Sequence, residues 1–289
     1  MGQEEPHAGL YYFEDVAPYA RLALRVREVI YSGRTRYQQV DILRLEGFGL
    51  ALILDGYIQS TEADEHFYHE ALVHPALLSH PRPERVLILG GGEGAALREV
   101  LKHKSVRLCS LVDIDGELLE LSKRYLAPLH RGSFWDPRAE VLVQDAAHYV
   151  ERAGERFDIV IMDLTDPHGP EISRHLYSKA FFERLRGLLG PGGFLVGQLG
   201  SAFFYPDLYS EIIAALRAVF PSVIEYQVWT PSFGCCANFA LATLGGNVIR
   251  EDSVDEELRR RGIGTKFYGG LAHRALFSGF INRRPEGAQ

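Results

Sequence analysis

The chain has 289 residues, 46% apolar and 24% charged, the make-up of a folded soluble protein with one large domain and room for a small one. Its 31 basic and 38 acidic residues leave a formal charge of −7, which argues against a nucleic-acid partner and favours a cationic small molecule. Three cysteines, Cys109 and the adjacent Cys235 and Cys236, indicate neither a disulfide framework nor a thiolate metal site; no apolar run approaches the ~20 residues of a membrane span, and the N-terminus lacks a secretory pattern, so a cytoplasmic enzyme with no membrane partner is expected.

Over residues 21–30, Leu22, Leu24, Val26 and Ile30 share one parity and Arg21, Arg25 and Arg27 the other, as in a half-buried strand. Strands over 37–45 and 50–54 are divided by Gly47 and Gly49, and Asp55-Gly56 supplies a hairpin turn before Ile58. Residues 1–60 therefore read as a small N-terminal antiparallel β domain. An acidic turn at Asp64 opens a helix carrying Phe67, Leu72 and Val73, which Pro75 interrupts or restarts. Beyond it, apolar runs at 86–89, 108–112, 141–143, 159–162 and 194–196 lack strict alternation, as strands covered on both faces do. Helical segments near 95–101, 116–125, 147–152 and 178–189 lie between them. This alternation predicts an α/β domain over 61–245 with a doubly wound parallel sheet and its ligand at the carboxyl ends of the strands, closed by an antiparallel pair at 223–229 and 238–243. Residues 246–289 form a charged C-terminal extension in which Arg259, Arg260 and Arg261 read as a solvated helix face.

The run Gly90, Gly91, Gly92, Glu93, Gly94 joins the first of these strands to its helix, where glycines let backbone approach a nucleotide. Asp113 and Asp145 close the next two strands, the first at the distance where an acid accepts hydrogen bonds from a ribose diol. Gly90, Gly92 and Ala95 also satisfy a loose dinucleotide fingerprint, but Glu93 in that turn would repel a pyrophosphate. A nucleoside with a positive substituent fits better. Decarboxylated S-adenosylmethionine, with a sulfonium and an amine, suits a pocket holding Glu93 on one side and Asp163 and Asp166 on another.

The segment Asp163-Leu164-Thr165-Asp166-Pro167 ends a strand and opens a loop through Gly169 and Pro170, placing two carboxylates as base and anchor for an amine; the plainer reading of Asp166 is a turn cap before Pro167. The acidic stretch from Gln59 through Glu62, Asp64 and Glu65 to Tyr68, His69 and Glu70 suits a polycation channel, although Glu62, Asp64 and Glu65 could simply complement a helix N-terminus and His66, His69 and Glu70 lie at the surface. His66, His69 and Glu70 lack a recognisable ligand spacing, so no metal is assigned.

Together YQ at Tyr37, LDGYIQSTEADE from Leu54, YHEALVHP from Tyr68, LILGGGEGAALREVLKH from Leu87 and DLTDPHGP from Asp163 resemble the spermidine synthase family of aminopropyltransferases in order and spacing, from Tyr37 to about Thr243. The resemblance implies a Rossmann-like, methyltransferase-type core, a homodimer or homotetramer held through the N-terminal part, and transfer of an aminopropyl group from decarboxylated S-adenosylmethionine to a polyamine with no prosthetic group. It places Gln38, Gly90, Gly92, Glu93, Asp113, Ile114, Asp145 and Ala146 around the donor: Asp113 at the ribose, Asp145 and Ala146 at the adenine, and Glu93 at the amine. Asp163 would be the base and Tyr68 would position the attacking amine. Gln59, Glu62, His69, Asp166 and Phe233 complete the substrate site, with Gln59 also beside the donor's sulfonium and Glu62 and Asp166 at the acceptor's distal charge.

GGGEG and DLTDP in place of GGGDG and DSSDP, and Phe233 where putrescine users carry Tyr, look more like thermospermine and aminopropylagmatine synthases. That orders the acceptors as spermidine, then agmatine, then putrescine. The other classes to weigh are a methyltransferase of the same fold, which would prefer the intact donor, and a catalytically silent polyamine-binding protein.

Overall fold

Two sheets carry the fold. The protein was analysed as a computed structural model that describes residues 9–167 and 175–284; Gly169 and Pro170, expected to set the loop path after Asp166, lie outside the described residues. The first sheet is an antiparallel meander of β1 (Leu10–Ala17), β2 (Ala20–Arg34), β3 (Gln39–Leu45), β4 (Gly49–Leu54) and β5 (Tyr57–Thr61). Asp55 and Gly56 both take positive φ, 48° and 88°, as the tight β4–β5 turn demands. β1 has no counterpart in the sequence reading, because as an edge strand it exposes Leu10 and Phe13 and buries Glu14, which breaks any period-two signal.

The second sheet has the order β11-β12-β10-β9-β6-β7-β8. Strands β6 (Arg85–Gly90), β7 (Leu108–Asp113), β8 (Ala139–Val143), β9 (Phe157–Asp163) and β10 (Leu189–Gln198) are parallel, and β11 (Ser222–Thr230) and β12 (Cys235–Thr243) close the sheet antiparallel. Val86, Ile88, Ile159 and Ile161 enter one core and Leu87, Leu89, Val160 and Met162 the other, so neither side of these strands meets water and the sequence shows no alternation. The order reverses between β6 and β9, and such a switch point opens a crevice at the strands' carboxyl ends.

The helices are α1 (Glu65–Ser79), α2 (Ala95–Leu101), α3 (Gly116–Tyr125), α4 (Ala127–His130), α5 (Ala146–Arg152), α6 (Lys179–Leu188), α7 (Pro206–Val219), α8 (Glu251–Arg261) and α9 (Gly270–Leu276). Pro75 does not interrupt α1. Its missing N–H leaves the Ala71 carbonyl without a helical partner, and the Tyr226 hydroxyl donates to that oxygen at 2.9 Å. The first sheet sits on the core domain through Val40, Ile42 and Leu52 against Leu118, Leu126 and Leu129. No helix among the described residues is long and apolar enough to cross a membrane.

The C-terminal extension braces α1. The Glu70 carboxylate, 1% exposed, accepts the backbone N–H groups of Lys266, Phe267 and Tyr268 at 2.8 Å each, so it is not the surface residue the sequence suggested. Arg259 and Arg260 do face solvent, whereas Arg261 turns inward and donates to the Leu77, Leu78 and His80 carbonyls, capping α1. Glu70→Ala would orphan three donors and is expected to cost about 2–3 kcal/mol, lowering Tm by roughly 4–10 °C. A calorimetric shift under about 1 °C would mean that the extension holds without this carboxylate.

Candidate active site

The ends of β6, β7 and β9 meet at one point because glycine allows it. Gly90 has φ +82°, and a methyl there would lie well inside contact with the Asp163 carbonyl; the Gly91 N–H donates to that same oxygen at 2.9 Å. A Cβ on Gly92 would lie 2.8 Å from the Asp113 carboxylate. The turn therefore brings Glu93, Asp113 and Asp163 to the rim of one cavity of about 240 Å³.

Asp113 is pushed up to about 6 by burial, with the charges of Asp115 and Glu93 adding to the shift. Asp115 caps α3 by accepting the Leu118 N–H, and its other oxygen accepts from Thr35 Oγ1 at 2.6 Å and Gln38 Nε2 at 2.8 Å. Gln38 is thereby held into the cavity from the first sheet. Asp145 caps α5 through the His148 N–H, leaving Ala146 at the cavity wall.

Asp163 is the centre of the site. Tyr68 Oη donates to its Oδ1 at 2.8 Å, while its buried Oδ2 has no hydrogen-bond partner among the described residues. Burial pushes this carboxyl up to about 7; Glu93 and Asp113 add to the rise, and His69 and the Tyr68 bond oppose it. The result is a proton acceptor poised near neutrality with one free oxygen.

Asp166 and Glu14 of β1 line the same cavity, as do Tyr57, Phe204, Tyr205, Phe233 and Cys235. The Ile58 N–H donates to Glu14 Oε2 at 3.0 Å, and burial, with the charge of Asp166 adding, pushes Glu14 up to about 8. Gln198 Nε2 donates to the Leu164 carbonyl at 2.6 Å and Tyr177 Oη to the Thr165 carbonyl at 3.2 Å, fixing the chain between Asp163 and Asp166. The Phe233 ring lies edge-on to Tyr68 with centroids 5.9 Å apart. Its turn, Pro231–Phe233, hangs from Asp64, which accepts from Ser232 N at 2.7 Å and Ser232 Oγ at 3.0 Å.

Gln38, Gln59, Tyr68, Gly90, Gly92, Glu93, Asp113, Ile114, Asp145, Ala146, Asp163, Asp166 and Phe233 all line this cavity. Glu62 and His69 do not. Glu62 is exposed and its carboxylate accepts the Leu50 N–H at 3.3 Å, while Asp64 and Glu65 are buried in internal bonds, so the acids after Gln59 form no channel. His69 is fully buried behind Glu93, with both ring nitrogens committed to carboxylates. Ligand atoms of His69, Glu93 and Asp163 do lie within 4.8 Å of one another. Burial opposes charge on the imidazole, but Glu65 and Glu93 outweigh it and push His69 up to about 10.

Seven carboxylates line the cavity, from Glu14, Asp55, Glu93, Asp113, Asp145, Asp163 and Asp166, and no Lys, Arg or His does among the described residues. A spermine/spermidine synthase domain matches residues 65–244, and a spermidine synthase tetramerisation domain matches 10–62. The chain belongs to the spermine/spermidine synthase family. Among its relatives, a polyamine aminopropyltransferase of Pyrobaculum neutrophilum is 48% identical over 94% of this chain and 95% of its own. One of Saccharolobus islandicus is 40% identical over 90% and 87%. Two solved structures share the fold at 32% identity: a spermidine synthase in complex with the transition state analogue AdoDATO (TM-score 0.89, 96% of this chain and 95% of that one) and a spermidine synthase from Thermotoga maritima (TM-score 0.87, 96% and 94%).

Sequence reasoning about this family member missed Glu14, Asp115 and Arg98. Asp115 carried a signal, an Asp directly before a helix that opens Gly-Glu-Leu-Leu. Glu14 carried none, since only the β1–β5 arrangement brings it beside Ile58.

Proposed function

We propose that this aminopropyltransferase accepts its three-carbon unit from decarboxylated S-adenosylmethionine and delivers it to spermidine, giving thermospermine or spermine. The observation that carries the reading is the cavity's charge: carboxylates throughout and no cationic side chain among the described lining residues. An intact donor would bring its own carboxylate into that field, whereas the decarboxylated one brings two positive centres. In this reading the adenosine lies along Gly90, Gly92, Asp113, Ile114, Asp145 and Ala146, with Gln38 and Gln59 beside the sulfonium and Glu93 at the amine.

The acceptor's amine must be neutral to attack. Removing its proton at pH 7 costs about 4 to 5 kcal/mol from a pKa near 10. Asp163 Oδ2 receives that proton while Tyr68 holds Oδ1. The nitrogen lone pair forms a bond to the carbon beside sulfur, the C–S bond breaks with its pair going to sulfur, and neutral methylthioadenosine leaves. Two acids, Asp166 and Glu14, lie beyond the base along an aromatic-walled arm, matching the two further ammonium groups of spermidine rather than the single one of putrescine. The exposed Leu10, Phe13 and Val29 of the first sheet support assembly as a homo-oligomer through that face.

Incubation with decarboxylated donor and equimolar spermidine, agmatine and putrescine, followed by chromatography and mass analysis, is expected to give a tetraamine first. Preferential aminopropylagmatine or spermidine formation would overturn the acceptor assignment. Glu14→Gln is expected to raise the spermidine KM about tenfold, the equivalent of ~1.4 kcal/mol, with the donor KM unchanged. If putrescine and spermidine KM rise equally, Glu14 does not read acceptor length.

A further inference from the structure

His69 is a substrate-site candidate that is chemically capable yet sealed away from any substrate. It is 0% exposed and lies outside the cavity, yet its Nε2 is 2.8 Å from Oε1 of Glu93, which lines it. On its other side Nδ1 lies 2.9 Å from the Glu65 carbonyl and 3.1 Å from Glu65 Oε2, which in turn accepts from Arg98 Nη2 at 2.7 Å. The ring therefore connects two carboxylates, one facing the cavity and one buried and paired. The groups facing it are Glu65 and Tyr68 on its own helix, Glu93 in the glycine turn, Arg98 on α2 and Asp163 at the end of β9.

We propose that His69 is a positioning residue of the transfer, an imidazolium clamped between Glu65 and Glu93 that fixes the Glu93 carboxylate toward the donor's amine and offsets part of the negative charge around Asp163. This rests on the reading of Glu93 as the acid that meets the donor amine. The charge count explains why a cation is needed there. Glu93, Asp163 and Asp113 crowd one rim; burial and the neighbouring carboxylates push Asp163 and Asp113 toward the neutral form, and His69 acts against that on Asp163. Both bonds need donors on the ring: Glu93 and Glu65 are acceptors when ionised, so only the doubly protonated imidazole satisfies both carboxylates at once. Burial opposes charge on Glu65, but His69 first and Arg98 next outweigh it and lower its carboxyl to about 2, and Arg98 completes the line from the other side. The order Arg98, Glu65, His69, Glu93 alternates in charge from the interior to the cavity wall.

The test uses two ligands that share the adenosyl part and differ in the aminopropyl arm, which carries the amine Glu93 would hold, and in the sulfonium charge. Methylthioadenosine keeps the adenosyl part and lacks the aminopropyl amine, so it reports the nucleoside pocket alone. In His69→Gln, methylthioadenosine affinity is expected to stay within about threefold of the parent, while the decarboxylated donor's KM rises about tenfold and the acidic limb of kcat moves up by roughly half to one pH unit. Glu65→Gln, one bond further back, is expected to move both in the same direction by less, and serves if His69→Gln does not fold. Equal losses for methylthioadenosine and donor would overturn the proposal by showing a structural role, and an unmoved acidic limb would overturn the charge-balancing half. Glu93→Gln separates the two readings: if it leaves the donor's KM unchanged, the placement of the amine fails whatever His69 does.

Discussion

Asp163→Asn is expected to lower kcat a hundredfold or more while methylthioadenosine still binds within about threefold of the parent affinity. The amide keeps the shape and the Tyr68 contact but cannot take a proton from an attacking ammonium, the loss expected for a removed general base. The pH dependence gives an independent check. Because the ionised carboxylate is the active form and its pKa is raised to about 7, turnover should climb as pH rises through 7 and lose that limb in the variant. Glu14, raised to about 8, adds a second limb to acceptor KM alone, which should fall between pH 7 and 8.5 as the carboxylate forms to meet an ammonium. Stability runs the other way. Glu14, Asp113 and Asp163 all bind protons more tightly folded than unfolded, so the contribution of these three groups to stability of the empty protein falls as pH rises from about 4 to 8, and a bound polycation should offset that loss. Retention of most activity in Asp163→Asn would remove this residue from the chemistry.

Gly90→Ala is expected to damage both stability and donor binding. The position demands φ +82°, and the added carbon would be driven into the Asp163 carbonyl group, which is backbone and cannot rotate away. Separating β6 from β9 to relieve the clash would break the packing of two central strands and shift Asp163 from Tyr68. About 3 kcal/mol or more, or roughly 6–12 °C in Tm, is expected for a chain of this size, together with at least tenfold weaker methylthioadenosine binding. A melting temperature within 2 °C of the parent would show that the turn opens without strain. Glycines elsewhere need not behave so: Gly154 and Gly187 have nothing near the added carbon and should accept alanine.

Much of the fold was legible because its causes are local. The five parallel strands, four of them covered and β8 half-exposed at the sheet's edge against the sequence expectation, the Asp55-Gly56 turn, and the helices capped by Asp115, Asp145 and Ser178 follow from short-range periodicity and turn chemistry. α7 could have been read the same way from Ile212, Ile213, Leu216 and Val219, which fall on one helical face. The convergence of Glu93, Asp113 and Asp163 on one cavity was legible for a related reason. In a doubly wound sheet the ligand lies at the strand ends, so residues such as Glu93, Asp113 and Asp163 that close strands or open turns converge wherever the helices run between them.

What the sequence determined by itself was the layered architecture, the strand-end residues of the cavity and their acidity, since periodicity, strand ends and side-chain type are all local properties. Only the tertiary structure decided which acids face the ligand. Glu14 reaches the cavity because β1 comes up beside β5, where the N–H of Ile58, 44 positions away, donates to its carboxylate, whereas Glu62 points outward and His69 is sealed behind Glu93. The continuation of α1 through Pro75 likewise depended on a hydroxyl from Tyr226, 155 positions further along the chain. Charge and capability belong to a residue, but exposure and partners depend on packing between distant segments, which no local pattern encodes.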